Sequence, residues 1–212
     1  MARPTILVPR GAEAGAVRRA RTAARVVEVP AGAAAAGALP EFAPDETVIA
    51  LGLCGGLWRL TAGEVAIYGR VVDGSRKYQI DDRLVDVLSA ALPGATVVNA
   101  CTTKRVVTTV DARTVLAQRF NAEVVDMEGV YLAAALAARR VRFAMVRVVS
   151  DDATRDLPPL EDAIGVDGRI HTLPVALAFA RAPRAAVAFV LDVRGALATL
   201  SRVARTIGRL AV

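Results

Sequence analysis

Three short segments carry side chains whose types and spacing allow chemistry. Val124-Val125-Asp126-Met127-Glu128-Gly129-Val130 reads as an apolar strand that delivers Met127 and Glu128 to the start of a helix. A carboxylate there can accept hydrogen bonds from two vicinal hydroxyls, as a ribose offers. Taken alone, the segment is equally a helix start in which Asp126 caps and Glu128 favours the first turn. Val146-Arg147-Val148-Val149-Ser150-Asp151-Asp152-Ala153 is an apolar strand ending in Ser-Asp. Partly desolvated, Asp151 would have a raised pKa and could donate a proton; a helix cap or Asx-turn competes. Leu51-Gly52-Leu53-Cys54-Gly55-Gly56-Leu57 ends a strand in glycines. Glycines let the backbone approach a ligand closely, and their N–H groups can hold an anion. A plain tight turn explains them as well, and they form neither a Walker loop nor a dinucleotide fingerprint.

Other chemistries lack their residues. Cys54 and Cys101 are the only cysteines, so there is no disulfide framework and no CxxC metal pair. The single histidine, His171, has no Cys or His neighbour to complete a zinc site, and no metal is expected. No Gly-x-Ser-x-Gly elbow accompanies it, so it reads as structural rather than as a triad base. The net charge of +6 and a pI of about 10.1 come almost wholly from dispersed arginines. With aromatics at 4%, no stacking platform for nucleic acid is expected. A hydrophobic content of 54% excludes disorder. The N-terminus lacks a signal peptide pattern, no apolar run is long enough to span a bilayer, and a reducing, cytoplasmic setting is expected.

The elements that must position these residues alternate. Strands are read at 5–8, 47–51, 64–72, 96–99, 105–109, 123–126 and 142–149, and helices at 12–24, 80–92, 111–120 with Asp111 as cap, and 128–140. A Gly/Ala/Pro connection fills 30–40, and Leu157-Pro158-Pro159-Leu160 reads as a rigid loop. Continuous apolar strands mean burial on both faces, and strand–helix alternation means a largely parallel or mixed sheet covered by helices. Functional loops then lie at the carboxyl ends of strands: 52–56, 126–129 and 150–152. The chain reads as one domain over 1–212 with a basic helical segment from about 165.

In combination the three segments resemble the purine nucleoside phosphorylase and methylthioadenosine/S-adenosylhomocysteine nucleosidase superfamily, most closely over 122–153. The resemblance implies a three-layer α/β/α fold with a central mixed twisted sheet, and cleavage of the N-glycosidic bond of an adenine-type nucleoside. It implies that Met127 packs beneath the ribose and Glu128 binds its hydroxyls. Asp151 would be the acid at purine N7, oriented by Ser150, with Cys54, Gly55 and Gly56 bordering the substrate. No cofactor is implied, and a homo-oligomer is.

The nucleophile is where the pattern departs. Phosphorylases carry Ser or Thr in the glycine turn and an Arg upstream, where this chain has Leu53 and Ala50. Inorganic phosphate as co-substrate would fall to Gly52, the turn N–H groups and Arg10. Nucleosidases carry a water-activating glutamate near the N-terminus, and in Gly11-Ala12-Glu13-Ala14 the carboxylate in reach is Glu13. Phosphorolysis is the first expectation; a methylthioadenosine- or futalosine-type hydrolase and a non-catalytic nucleoside-binding relative are the alternatives. Leu53, the short chain and the Leu-Pro-Pro segment resemble the hopanoid-associated branch, whose members release adenine from adenosylhopane. Residues 164–212 hold seven Arg, two acidic residues and no Lys. Such a basic amphipathic segment fits peripheral contact with an anionic membrane, or packing on the domain or on a second subunit.

Overall fold

A computed structural model of the chain describes residues 2–160 and 172–212; His171 lies outside the described residues. The chain opens with β1 (Thr5–Pro9), α1 (Ala12–Arg19), β2 (Val26–Val29) and a 3-10 helix (Gly32–Ala38). It continues with β3 (Thr47–Gly56), β4 (Val65–Val72), β5 (Lys77–Gln79), α2 (Asp82–Ala91), β6 (Thr96–Thr102) and α3 (Val110–Phe120). β7 (Val124–Asp126), α4 (Gly129–Ala138), β8 (Arg142–Asp151), α5 (Thr172–Arg181) and α6 (Pro183–Ile207) complete it.

The eight strands form one mixed sheet with helices packed on it, the α/β architecture expected. The continuous apolar runs are indeed buried on both faces: every residue of β1, and all but the first of β8, is buried. β3 pairs parallel with β8, β8 antiparallel with β4, β4 parallel with β6, β6 parallel with β7, and β7 antiparallel with β3. That circuit closes, so the centre of the sheet rolls into a barrel while β1 and β2 extend it from β3 and β5 from β4. α6 lays Ala196, Leu200, Val203, Ala204 and Ile207 against α1, β3 and β8, so its C-terminal half belongs to the core.

Several local expectations are corrected. The 52–56 segment is not a turn: β3 stays paired with β8 through Cys54 and with β7 at Gly55 and Gly56. The first helix ends at Arg19, and Arg21 turns the chain with φ +49° into β2, a half-buried edge strand with too weak an apolar run to be read. β5 was missed for the same reason, being an exposed three-residue edge. Residues 105–109 form no strand. They lead to Thr109, whose hydroxyl accepts from the Ala112 N–H and caps α3, so the cap is Thr109 and not Asp111.

Candidate active site

The register of β3 explains why three distant segments converge. Gly55 pairs with Asp151 of β8 on one side and with Val125 of β7 on the other. The Ser-Asp end of β8 and the Asp-Met-Glu end of β7 therefore flank the same glycine. A Cβ at Gly55 would stand 3.1 Å from Asp151 Oδ2 and 3.3 Å from Val125 Cγ1, so a side chain there would crowd the carboxyl. A cavity of about 350 Å³ opens at this point, within the range that takes a small ligand. Glu13, Cys54, Gly55, Met127, Glu128, Ser150 and Asp151 all line it.

Asp151 lines the cavity and is 5% exposed. Ser150 Oγ lies 2.5 Å from its Oδ1 and 3.1 Å from the Cys54 carbonyl; its single proton serves the shorter contact to the carboxylate. Arg113, reaching from α3 and 1% exposed, donates from Nη2 to Asp151 Oδ2 at 2.5 Å. Burial pushes the Asp151 carboxyl up from its ordinary value, with Arg113 and Ser150 pulling the other way.

Two glutamates line the same cavity. Glu128 caps no backbone group of its own helix with its side chain; Oε1 instead accepts from the Gly32 N–H at 2.7 Å. The Gly/Ala connection thus supplies a donor to the site. Glu13, in the first turn of α1, accepts from the Leu53 N–H at 2.7 Å. Desolvation, then the charge of Glu128, push the Glu13 carboxyl up to about 8, against the Leu53 N–H and Arg147. Glu128 is raised by desolvation first and by Asp126 second.

Behind them lies a buried ionic layer. Arg147, wholly inaccessible, has Nε 3.6 Å from Asp126 Oδ2 and donates from Nη1 to the Ala50 carbonyl at 2.9 Å. Among the described residues its Nε and Nη2 meet no acceptor within hydrogen-bonding distance. Asp126 accepts from Thr102 Oγ1 at 2.7 Å, Tyr68 Oη at 3.2 Å and the Gly129 N–H at 3.1 Å, so it does tie the helix start, as its capping reading required. Among the described residues no three His, Cys, Asp or Glu side chains gather as a metal site.

The outer wall is apolar. Val106, Val107, Leu157, Leu160, Val175, Phe179 and Phe189 line it, drawn from the 103–109 segment, the Pro-Pro loop and the two terminal helices. The Leu157 N–H donates to the Thr108 carbonyl at 2.8 Å, which fixes that loop over the cavity.

Three nominated residues fall outside the lining. Arg10 is exposed at the end of β1. Gly52 lies beneath Glu13: a Cβ there would meet Glu13 Oε1 at 2.8 Å and Arg147 Cζ at 3.4 Å, so its bareness makes room for the Glu13 carboxyl group rather than for phosphate. Gly56 packs its Cα against the Leu60 and Asp151 carbonyls. Arg113 was not anticipated, since nothing in the pattern of α3 marks it as buried. Arg147 does carry a signal in the sequence: a cation inside a continuous apolar strand must find a buried partner.

Comparison with known proteins bears on the family and the fold. Residues 4–167 match the family model described as the Phosphorylase superfamily. No curated protein matches the sequence. Among solved structures, futalosine hydrolase of Helicobacter pylori superposes with a TM-score of 0.70 at 12% identity, over 97% of this chain and 96% of that one. The 5′-methylthioadenosine/S-adenosylhomocysteine nucleosidase of Neisseria meningitidis, in complex with methylthio-immucillin-A, gives 0.69 at 18%, over 97% and 98%. The Helicobacter pylori nucleosidase of the same name, with butyl-thio-DADMe-Immucillin-A, gives 0.70 at 12%, over 98% and 97%. At these identities the likeness is one of fold.

Proposed function

The chain belongs to the Phosphorylase superfamily, and on that premise we propose that it cleaves the N-glycosidic bond of an adenine-type nucleoside, with water as the nucleophile. One observation carries the reading: a single cavity is lined by Asp151 and by both Glu13 and Glu128. The transition state of such a reaction is oxocarbenium-like, with positive charge growing on the sugar and negative charge on the departing base. Asp151, its proton affinity raised by burial, gives a proton to N7 of the base as the C1′–N9 electron pair leaves with the base. Glu128 accepts from the ribose hydroxyls, and Met127 packs under the ring. Glu13 takes the proton of the water whose oxygen bonds to C1′, and a base titrating near 8 is strong enough for the task. The products are the free base and the free sugar.

Water is preferred to phosphate because the nominated phosphate ligands do not support the alternative. Arg10 and Gly52 lie off the cavity, and a carboxylate fills the space over Gly52. A second anion there would face Glu13 and Glu128.

The apolar outer wall supports an apolar 5′ substituent, from a methylthio group up to a lipid. Resemblance to the hopanoid-associated branch makes adenosylhopane the candidate at the lipid end. The exposed faces of α5 and α6 carry Leu177, Val187, Val190 and Leu191 beside Arg181, Arg184 and Arg194. This pairing of apolar and cationic groups supports peripheral contact with an anionic bilayer. Exposed Trp58, Val97 and Val115 offer apolar surface for self-association.

The test is chromatography of products from adenosine, methylthioadenosine, S-adenosylhomocysteine, futalosine and a long-chain 5′-alkyl adenosine, with and without phosphate. The expected result is adenine and free sugar from the apolar 5′ derivatives, unchanged by phosphate. Asp151→Asn should lower release by about 10²–10⁴ with the fold intact. A sugar 1-phosphate product would overturn water as nucleophile, and saturable binding without release would make the protein a non-catalytic binder.

A further inference from the structure

The Asp151 carboxyl does not stand alone, and the group that holds it comes from α3, outside the three motif segments read from the sequence. Arg113 sits one turn into α3, and its guanidinium is spent entirely on the site. Nη2 donates to Asp151 Oδ2 at 2.5 Å. Nε and Nη2 reach the Val107 carbonyl at 3.2 and 3.1 Å. Nη1 donates to the Asp152 carbonyl and, at 3.4 Å, to that of Gly56. One side chain therefore joins the 103–109 segment, the end of β3, the end of β8 and the residue after it.

We infer that Arg113 is the positioning residue of Asp151: it aims the carboxyl into the cavity, governs how tightly that carboxyl holds its proton, and clamps the wall formed by Val107 to the same point. The inference rests on the nucleosidase reading for its consequence in catalysis, but the clamp itself is a property of the folded chain. Three features of the geometry support it. The pair is fully desolvated, at 1% and 7% side-chain exposure, so a full charge acts on Asp151 with little screening. The contact is to Oδ2 while Ser150 occupies Oδ1, which leaves the carboxyl no freedom to rotate. Among the described residues the other acceptors of Arg113 are backbone carbonyls, and no second carboxylate competes for the cation.

The other groups facing Asp151 do not duplicate this role. From β3 comes the Cys54 thiol, whose own proton is held firmly by burial. Asp152, next in the chain, opposes ionisation of Asp151 and is itself engaged by Thr154. Glu13, Asp126, Glu128 and Arg105 share the cavity lining. Arg113 is the cation in direct contact. A cation at this range lowers a carboxyl pKa by about 1–3 units, which keeps the buried acid able to release its proton.

Arg113→Met keeps the aliphatic stem and removes the charge; Arg113→Lys keeps the charge and loses the fork. The carbon-13 carboxyl resonance of Asp151, assigned by its loss in Asp151→Asn, is titrated in each protein without substrate. In Arg113→Met the midpoint should move up by at least about one unit, and the alkaline limb of the kcat/KM profile should move with it, because the acid must be protonated to act. In Arg113→Lys the midpoint should stay within about half a unit while kcat falls about tenfold, as aim is lost. A midpoint in Arg113→Met that coincides with the wild type overturns the inference. If Arg113→Met does not fold, an unchanged kcat in Arg113→Lys overturns it. Were the protein to release no base from any nucleoside, the functional reading would fall while the titration still decided the clamp.

Discussion

Glu13 Oε1 accepts a hydrogen bond from the backbone N–H of Leu53 at 2.7 Å. This joins the first turn of α1 to the glycine-rich end of β3, which are 40 positions apart in the chain. It assigns the register of the N-terminal carboxylate that spacing alone could not. It also decides how the glycines are used, because the carboxylate lies in the space a side chain at position 52 would need.

Glu13→Gln separates function from stability. Its folded proton affinity lies above the ordinary value, so stability is fully present below about pH 4.5 and is lost as pH rises towards 8. The glutamine variant escapes this loss. Its Tm should exceed that of the wild type at pH 8.5 by about 3 °C or more, and match it near pH 4.5. Base release should fall by about 10²-fold or more, and the acid limb of the wild-type kcat/KM profile, near pH 8, should vanish. Calorimetry at the two pH values checks the first outcome and stopped assays the second.

Gly52→Ala tests the seat of that carboxylate. The added Cβ would lie 2.8 Å from Glu13 Oε1, so Glu13 must shift. Displacement of about 1 Å should cost about 10²-fold in kcat, with KM for a 5′-alkyl nucleoside altered by less than about threefold. A mutant with normal kcat would mean that Glu13 has no part in the chemistry.

Phe179 and Phe189 test the outer wall. They join Leu160 and Val175 in an apolar cluster over the cavity. Phe179→Ala should raise KM for methylthioadenosine about tenfold, in keeping with ~1.5 kcal/mol of lost apolar contact, and leave adenosine nearly unaffected. Equal losses on both substrates would show that the wall does not read the 5′ group.

Leu191 stands 61% exposed on α6 and Val187 62%. Changing both to Ser should reduce co-sedimentation with vesicles of anionic lipid by about tenfold or more, without loss of turnover on a water-soluble nucleoside. If the double variant instead lowers the oligomer size seen by sedimentation velocity and leaves vesicle binding unchanged, this face pairs with another copy.

Much of the mixed α/β order was legible from the chain because its signals are local. β1 and β8 are buried on both faces, so their residues are apolar apart from Arg147 and the polar strand ends, and glycines and prolines punctuate the helices. The Asp-Met-Glu and Ser-Asp segments could be nominated because a strand end must present its last side chains at the sheet edge. The edge strands β2 and β5 were not legible, since half-exposed residues need no apolar pattern.

The sequence by itself determined which carboxylates were available and that two of them sat at strand ends. Tertiary structure alone decided which of them meet. Gly55 is paired on both sides, and that register brings Asp151 and the Glu128 segment to one cavity. Arg113, Arg147 and the Gly32 N–H were recruited from an exposed-looking helix, an apolar strand and a connection. Their roles depend on long-range pairing and on desolvation, and neither quantity is encoded in the spacing of neighbouring residues. A buried charge is costly unless partnered, so the partner must come from wherever the closed sheet brings one within reach.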